Sequence, residues 1–186
     1  MRIRGVWNIL MLGVAGIAGV QESAGQEGSA GAPPAVQAER CTAPETRQFD
    51  FWVGEWDLKS DQGTAINSIR PVLGGCVIYE NFNEVVGQGD LLSGWSVSTY
   101  APARRRWLQT WVDNSGSYLD FEGEFKDGKM ILSREAEAQG KKFLQRMVWH
   151  NIGRDSLDWN WERSDDGGKS WQALWKIYYT RKKAGA

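Results

Sequence analysis

Histidine occurs once in these 186 residues, at His150, and cysteine twice, at Cys41 and Cys76. A single histidine excludes a His-based catalytic triad and any multi-histidine metal site. A haem needs only one, but His150 shares strand parity with Arg146 rather than with Met147 and Trp149, which puts it outside the fold or at its rim. There is also no phosphate-cradling glycine loop, no nucleophile constellation and no metal-ligand cluster. The expectation is therefore no metal and no cofactor, and no residue is assigned a catalytic role. Excess positive charge is lacking as well: 22 Lys and Arg face 23 Asp and Glu. A chain with no basic field cannot collect phosphates, so nucleic acid is not an expected partner. The two basic runs, Arg104-Arg105-Arg106 and Arg181-Lys182-Lys183, fall at strand ends and read as a solvated turn and a solvated tail.

No apolar run reaches the roughly twenty residues that a bilayer span needs. Val6 to Val20 comes closest; behind the basic head Arg2 and Arg4, and before the small residues Ser23-Ala24-Gly25, it has the layout of a secretory signal peptide over 1–25. Cys41 follows Ala38-Glu39-Arg40, which is not a lipobox. The mature protein is thus expected to be periplasmic or secreted and free of the membrane. Residues 26–40, rich in Gly, Ala, Ser, Glu and Gln with the pair Pro33-Pro34, read as a flexible linker. Two cysteines in an exported chain fit a disulfide. It would close a loop of 36 residues; two separate thiols, with Cys76 as a small buried side chain, is the other reading.

What the chain has in quantity is tryptophan, eleven in all and ten of them from Trp52 onward. After a short helical turn over 45–51, the period becomes two. Strands are predicted near 52–60, 64–72, 75–84, 91–100, 105–113, 117–126, 129–136, 142–150, 156–163 and 171–180. Turn residues separate them, among them Asp127-Gly128, Gln139-Gly140 and Asp166-Gly167-Gly168. Ten short strands on hairpin links, without a helix of three turns, predict an all-β fold: one antiparallel up-and-down barrel over 41–183.

Alternation assigns the faces. Leu157, Trp159 and Trp161 point in, with Asp158, Asn160 and Glu162 out; Trp171, Ala173, Trp175, Ile177 and Tyr179 repeat the pattern. Phe143, Gln145, Met147 and Trp149 share an inner face, as do Trp107, Gln109 and Trp111. Glu122, Glu124, Glu135 and Glu137 form exposed stripes.

Gly54-Glu55-Trp56, preceded by Phe49-Asp50-Phe51, resembles the first-strand Gly-x-Trp of the lipocalins and other calycins. That resemblance implies that Trp56 closes the barrel floor and that a basic side chain beyond the last strand, here Arg181, packs across its indole. The wider set of motifs is similar to a family of small, largely bacterial calycin-like proteins known as a domain of unknown function. Phe49 to Trp56, Gly74-Gly75-Cys76 with Glu80, Trp107-x-Gln109-x-Trp111-x-Asp113-Asn114-x-Gly116 and Ser164 to Trp171 carry the match. It implies a fold and transfers no reaction. Ser164 to Trp171 also resembles the Asp-box of sialidase-like propellers, but a propeller repeats the motif in each blade and this chain has one copy. Asp166 and Trp171 are therefore expected to build a rigid turn.

The expected function is to hold a small hydrophobic or aromatic ligand in an aromatic-lined cavity of at least about 300 Å³. Glu80, Trp107, Gln109, Trp111, Trp159 and Trp161 are its candidate ligand-binding residues. A second reading is an enzyme of isomerase, dehydratase or cyclase type on the same barrel, with Glu80 as acid or base. A third is a filled structural barrel that binds a protein.

Overall fold

The hairpins follow from their turn residues. Asp127-Gly128 and Gln139-Gly140 have φ of 51° and 73°, and of 51° and 74°. Positive φ at both central positions defines the two-residue turn whose twist matches antiparallel strands. They join β6 (Tyr118–Lys126) to β7 (Lys129–Ala138) and β7 to β8 (Lys141–His150). Before them come β1 (Gly54–Lys59), β2 (Thr64–Val72), β3 (Val77–Val86), β4 (Ser93–Ala101) and β5 (Arg106–Asp113); after them come β9 (Ser156–Ser164) and β10 (Gln172–Arg181). The computed structural model describes residues 41–87 and 89–183. The signal peptide and linker expected over 1–40 lie outside the described residues.

Each strand pairs antiparallel with its neighbours in sequence, and β1 pairs with β10 through Trp56 opposite Arg181, which closes a ten-stranded up-and-down barrel. The expected fold class is the one observed. The first strand begins at Gly54 rather than at residue 52, because Pro44–Arg47 and Asp50–Trp52 form two short 3-10 turns that run under one end of the barrel. There Phe49 meets Trp107 edge-on at 4.8 Å and Trp149 at 5.3 Å, and Trp52 meets Trp149 at 5.2 Å. These fully buried rings make the floor. Cys41 and Cys76 are disulfide-bonded, with Cα atoms 5.2 Å apart, tying the turn segment to the β2–β3 connection.

Arg181 lies across Trp56 with Cζ 4.0 Å from the ring centroid. Its Nη1 donates to the Val53 carbonyl at 2.7 Å, Nη2 to Phe51 at 3.1 Å and Nε to Arg154 at 2.9 Å. The Trp56 indole N–H donates to the Trp52 carbonyl at 2.8 Å. This closure explains the glycine of the Gly-x-Trp. Gly54 has φ 140°, and a Cβ there would stand 2.1 Å from Arg181 Nη1. Gly54→Ala is expected to dislodge the guanidinium and to lower stability by about 1–2 kcal/mol. Urea unfolding would measure it; a midpoint equal to wild type would separate the glycine from the closure.

One inner-face assignment is corrected. β10 carries a bulge between Ala173 and Trp175: Ala173 opposes Glu162 while Trp175 opposes Trp161, so Leu174 is the extra residue. An extra residue reverses parity. Trp171 and Ala173 therefore lie on the outer face, where Trp171 packs under Arg146 at 3.8 Å and Arg146 pairs with Glu162 at 2.6 Å. The glutamate stripes are exposed as expected, with Glu122 and Glu124 meeting Arg104 and Arg106.

Candidate functional site

Inside the barrel the inward positions of β3, β5, β6, β8, β9 and β10 leave a cavity of about 270 Å³. This is slightly under the roughly 300 Å³ expected, so any occupant is small. Trp159, Trp161, Trp175, Ile177 and Tyr179 form one wall; Met147 and Trp149 continue it on β8. Phe82, Trp111, Leu119 and Phe121 face them. Leu92 and Asp113 bring the cavity to the end of the barrel opposite the floor. The rings meet edge to face: Trp159 and Trp175 at 5.7 Å, Phe121 and Trp161 at 5.7 Å, Phe82 and Trp111 at 6.0 Å. Phe121 with Trp161, and Phe82 with Trp175 at 6.1 Å, reach from one wall to the other, so the cavity is the space these contacts leave beside them.

Trp111 is held by both of its neighbours. Its indole N–H donates to Asp113 Oδ2 at 2.9 Å. On β4 opposite, Gly94 leaves room for the ring, since a Cβ there would lie 2.2 Å from Trp111 Cζ2. The other oxygen of Asp113 accepts from the amides of Ser115 and Ser117 and from the Ser115 hydroxyl. Burial raises the Asp113 pKa, but these bonds outweigh it and bring the carboxyl down to about 2. Asp113 is thus an ionised turn cap at the mouth of the cavity.

Glu80 is the buried carboxyl of the cavity. It sits in the middle of β3, with Asn67 Nδ2 donating to Oε1 at 2.7 Å and Ser96 Oγ donating to Oε2 at 2.6 Å. Asn67 also donates to the Tyr179 hydroxyl at 3.2 Å. Burial pushes the Glu80 pKa up to about 7, and the bonds from Ser96 and Asn67 only moderate that rise. The Tyr179 phenol is pushed up by burial and then by the nearby Glu80, so it stays protonated at neutral pH. Among the described residues the Asn67 carbonyl oxygen and the indole N–H groups of Trp149 and Trp175 have no hydrogen-bond partner. In a dry interior each such group is costly until something pairs with it.

Of the six candidate ligand-binding residues, Glu80, Trp111, Trp159 and Trp161 border this cavity, and Trp107 and Gln109 do not. Trp107 shares the face of Trp111 but lies four residues along β5, about 13 Å away. That distance puts it in the floor, where its N–H donates to Gln48 Oε1 at 3.1 Å. Gln109 is buried in the wall between Ser98, to whose hydroxyl it donates at 2.8 Å, and its cross-strand partner Phe121, which takes the cavity surface. Asn67 and Ser96, the partners of Glu80, were not legible as site residues.

Asp166 and Trp171 stand apart from the cavity. Asp166 accepts from the hydroxyls of Ser164 and Ser170 at 2.7 and 2.6 Å, and Trp171 donates to the Gly168 carbonyl at 3.1 Å. The Ser170 hydroxyl and amide, and then the Ser164 hydroxyl, hold the Asp166 carboxyl down at about 2 and make a rigid turn. His150 lies on the outer side, with Nδ1 4.0 Å from Asp158. Among the described residues no group of three or more His, Cys, Asp or Glu is arranged to hold a metal ion. Among them no helix is long and apolar enough to cross a membrane.

A comparison with curated proteins returns no match. The model of the family described as "Protein of unknown function (DUF1579)" matches residues 45–181, so the chain belongs to that family.

Proposed function

We propose that this family member is an exported binding protein that holds a small, partly apolar or aromatic molecule inside the barrel. The observation that carries the reading is Glu80: a carboxyl buried in an aromatic-lined cavity of about 270 Å³, oriented by two donors. Apolar walls with a few fixed polar groups are what a small-molecule site requires. The closure of Trp56 by Arg181 supports a calycin-like kinship. The disulfide fits an oxidising compartment, periplasmic or extracellular.

The open space counts against a barrel that is only a filled scaffold for a protein partner. An enzymatic role would use the raised pKa of Glu80. It would also use a donor free to meet a developing negative charge, and the Gln109 amide and the Trp111 indole N–H are already given to Ser98 and Asp113. Binding is therefore the reading we adopt.

Mass spectrometry of small molecules released from the natively purified mature protein should yield a bound species. The same compound, added back, should quench tryptophan fluorescence. Trp111→Ala should weaken its binding at least about tenfold, since a wall indole is lost. Equal affinity in the variant would move the site elsewhere.

A further inference from the structure

We propose that the cavity is built for a small organic cation, an alkylammonium or quaternary amine, with Glu80 as its counter-charge; this rests on the reading of the barrel as a small-molecule binder. The charges on the cavity wall motivate it. Among the described residues its two ionisable carboxyls are Glu80 and Asp113, and no lysine, arginine or histidine lines it. An anionic ligand would meet two like charges. A purely apolar one would press hydrocarbon against a buried carboxyl whose partners among the described residues are two neutral donors, Asn67 and Ser96.

The aromatic faces point the same way. The ring quadrupole presents negative charge on its face, and aromatic walls hold cations best when water is excluded. Elsewhere in this chain that capacity is used by arginines: Arg181 on Trp56, Arg146 on Trp171, Arg70 on Tyr79 and Arg163 on Phe143. Of the cavity's rings, Phe121 has Arg134 over it at 5.8 Å, at the edge where β7 leaves β6, and Arg134 also donates to Gln145. Among the described residues no protein cation covers Trp111, Trp159, Trp161 or Trp175. Four indoles without a cation therefore surround a space that ends on a carboxyl.

Charge can be separated from shape with two probes of one outline. Choline and 3,3-dimethylbutan-1-ol share a hydroxyl and a trimethyl head and differ in the atom that carries the charge. In calorimetric titrations of the oxidised protein at pH 8, choline is expected to bind at least about tenfold tighter than the alcohol. In Glu80→Gln, which keeps the shape and the Asn67 and Ser96 contacts, the gap should shrink to within about threefold. The alcohol binding as tightly as choline overturns the cation proposal and leaves the binding reading standing. So does heat from neither probe when toluene, a neutral aromatic, still binds. Heat from none of the three removes the binding reading with it. An undiminished preference in Glu80→Gln overturns the role given to that carboxylate.

Discussion

Replacing Cys41 and Cys76 together by serine is expected to lower the stability of the barrel by about 4 kcal/mol. The magnitude comes from the loop, since the bond joins residues 35 apart and so restricts a 36-residue segment of the unfolded chain. Without it that segment regains conformational freedom when the protein unfolds, and folding must remove it again. The native consequence is local and severe. The segment after Cys41 carries Phe49 and Trp52, both fully buried beneath the barrel against Trp107 and Trp149. The 3-10 turns that present them are too short to hold themselves; Thr46 bonds back only to the carbonyls of Cys41 and Ala43, at 2.6 Å each. The disulfide is what tethers them to the β2–β3 turn. Urea unfolding of the double variant, beside oxidised and reduced wild type, measures the effect. A loss under about 1 kcal/mol would mean that floor packing and the bonds from Arg181 and Trp56 anchor the segment without the disulfide.

Much of the barrel could be read from turn residues and parity, because hairpin turns with Gly at positive φ fix where strands end and a half-buried strand must alternate. That logic put Trp159 and Trp161 inside. It failed wherever one residue altered the count or where the alternation itself was inverted. In β10 the extra Leu174 moved Trp171 to the outside. In β4 the apolar side chains Trp95 and Val97 are the exposed ones, and Gly94, Ser96 and Ser98 face in. A pattern reading looks for large apolar residues in the core, so it passes over Ser96, the donor that orients Glu80. Asn67 was hidden for a related reason: one polar residue between Ala65 and Ile69 on an inner face has no meaning until Glu80 is seen beside it. Depth was the remaining blind spot. Parity says that Trp107 and Trp111 share a face, but only closure of the floor by Phe49 tells which of them borders the cavity. The site was thus half legible: its aromatic wall came from alternation, while its polar corner is a tertiary product of β2, β3, β4 and β10.

That polar corner should make stability depend on pH in an unusual direction. The folded protein keeps a proton on Glu80 up to about pH 7, whereas the unfolded chain releases it near 4.5. Between those values the folded state binds more protons, so stability falls as pH rises through the window. The contribution is whole below about 4.5 and lost above about 7. At about 1.4 kcal/mol per unit, the fall amounts to about 3 kcal/mol. Two other ionisable groups around the cavity do not change state here: Asp113 stays ionised and Tyr179 stays protonated. Glu80→Gln removes the titration while retaining an oxygen for Asn67 and an amide that can donate to the Ser96 hydroxyl. The variant should match wild type near pH 4 and exceed it by about 3 kcal/mol at pH 8. Subtracting the two curves isolates Glu80 from every other titrating group. Denaturant unfolding at half-unit steps from pH 4 to pH 8 gives both curves; parallel lines would show that Glu80 ionises in the folded barrel as readily as in water, and that the corner is wet.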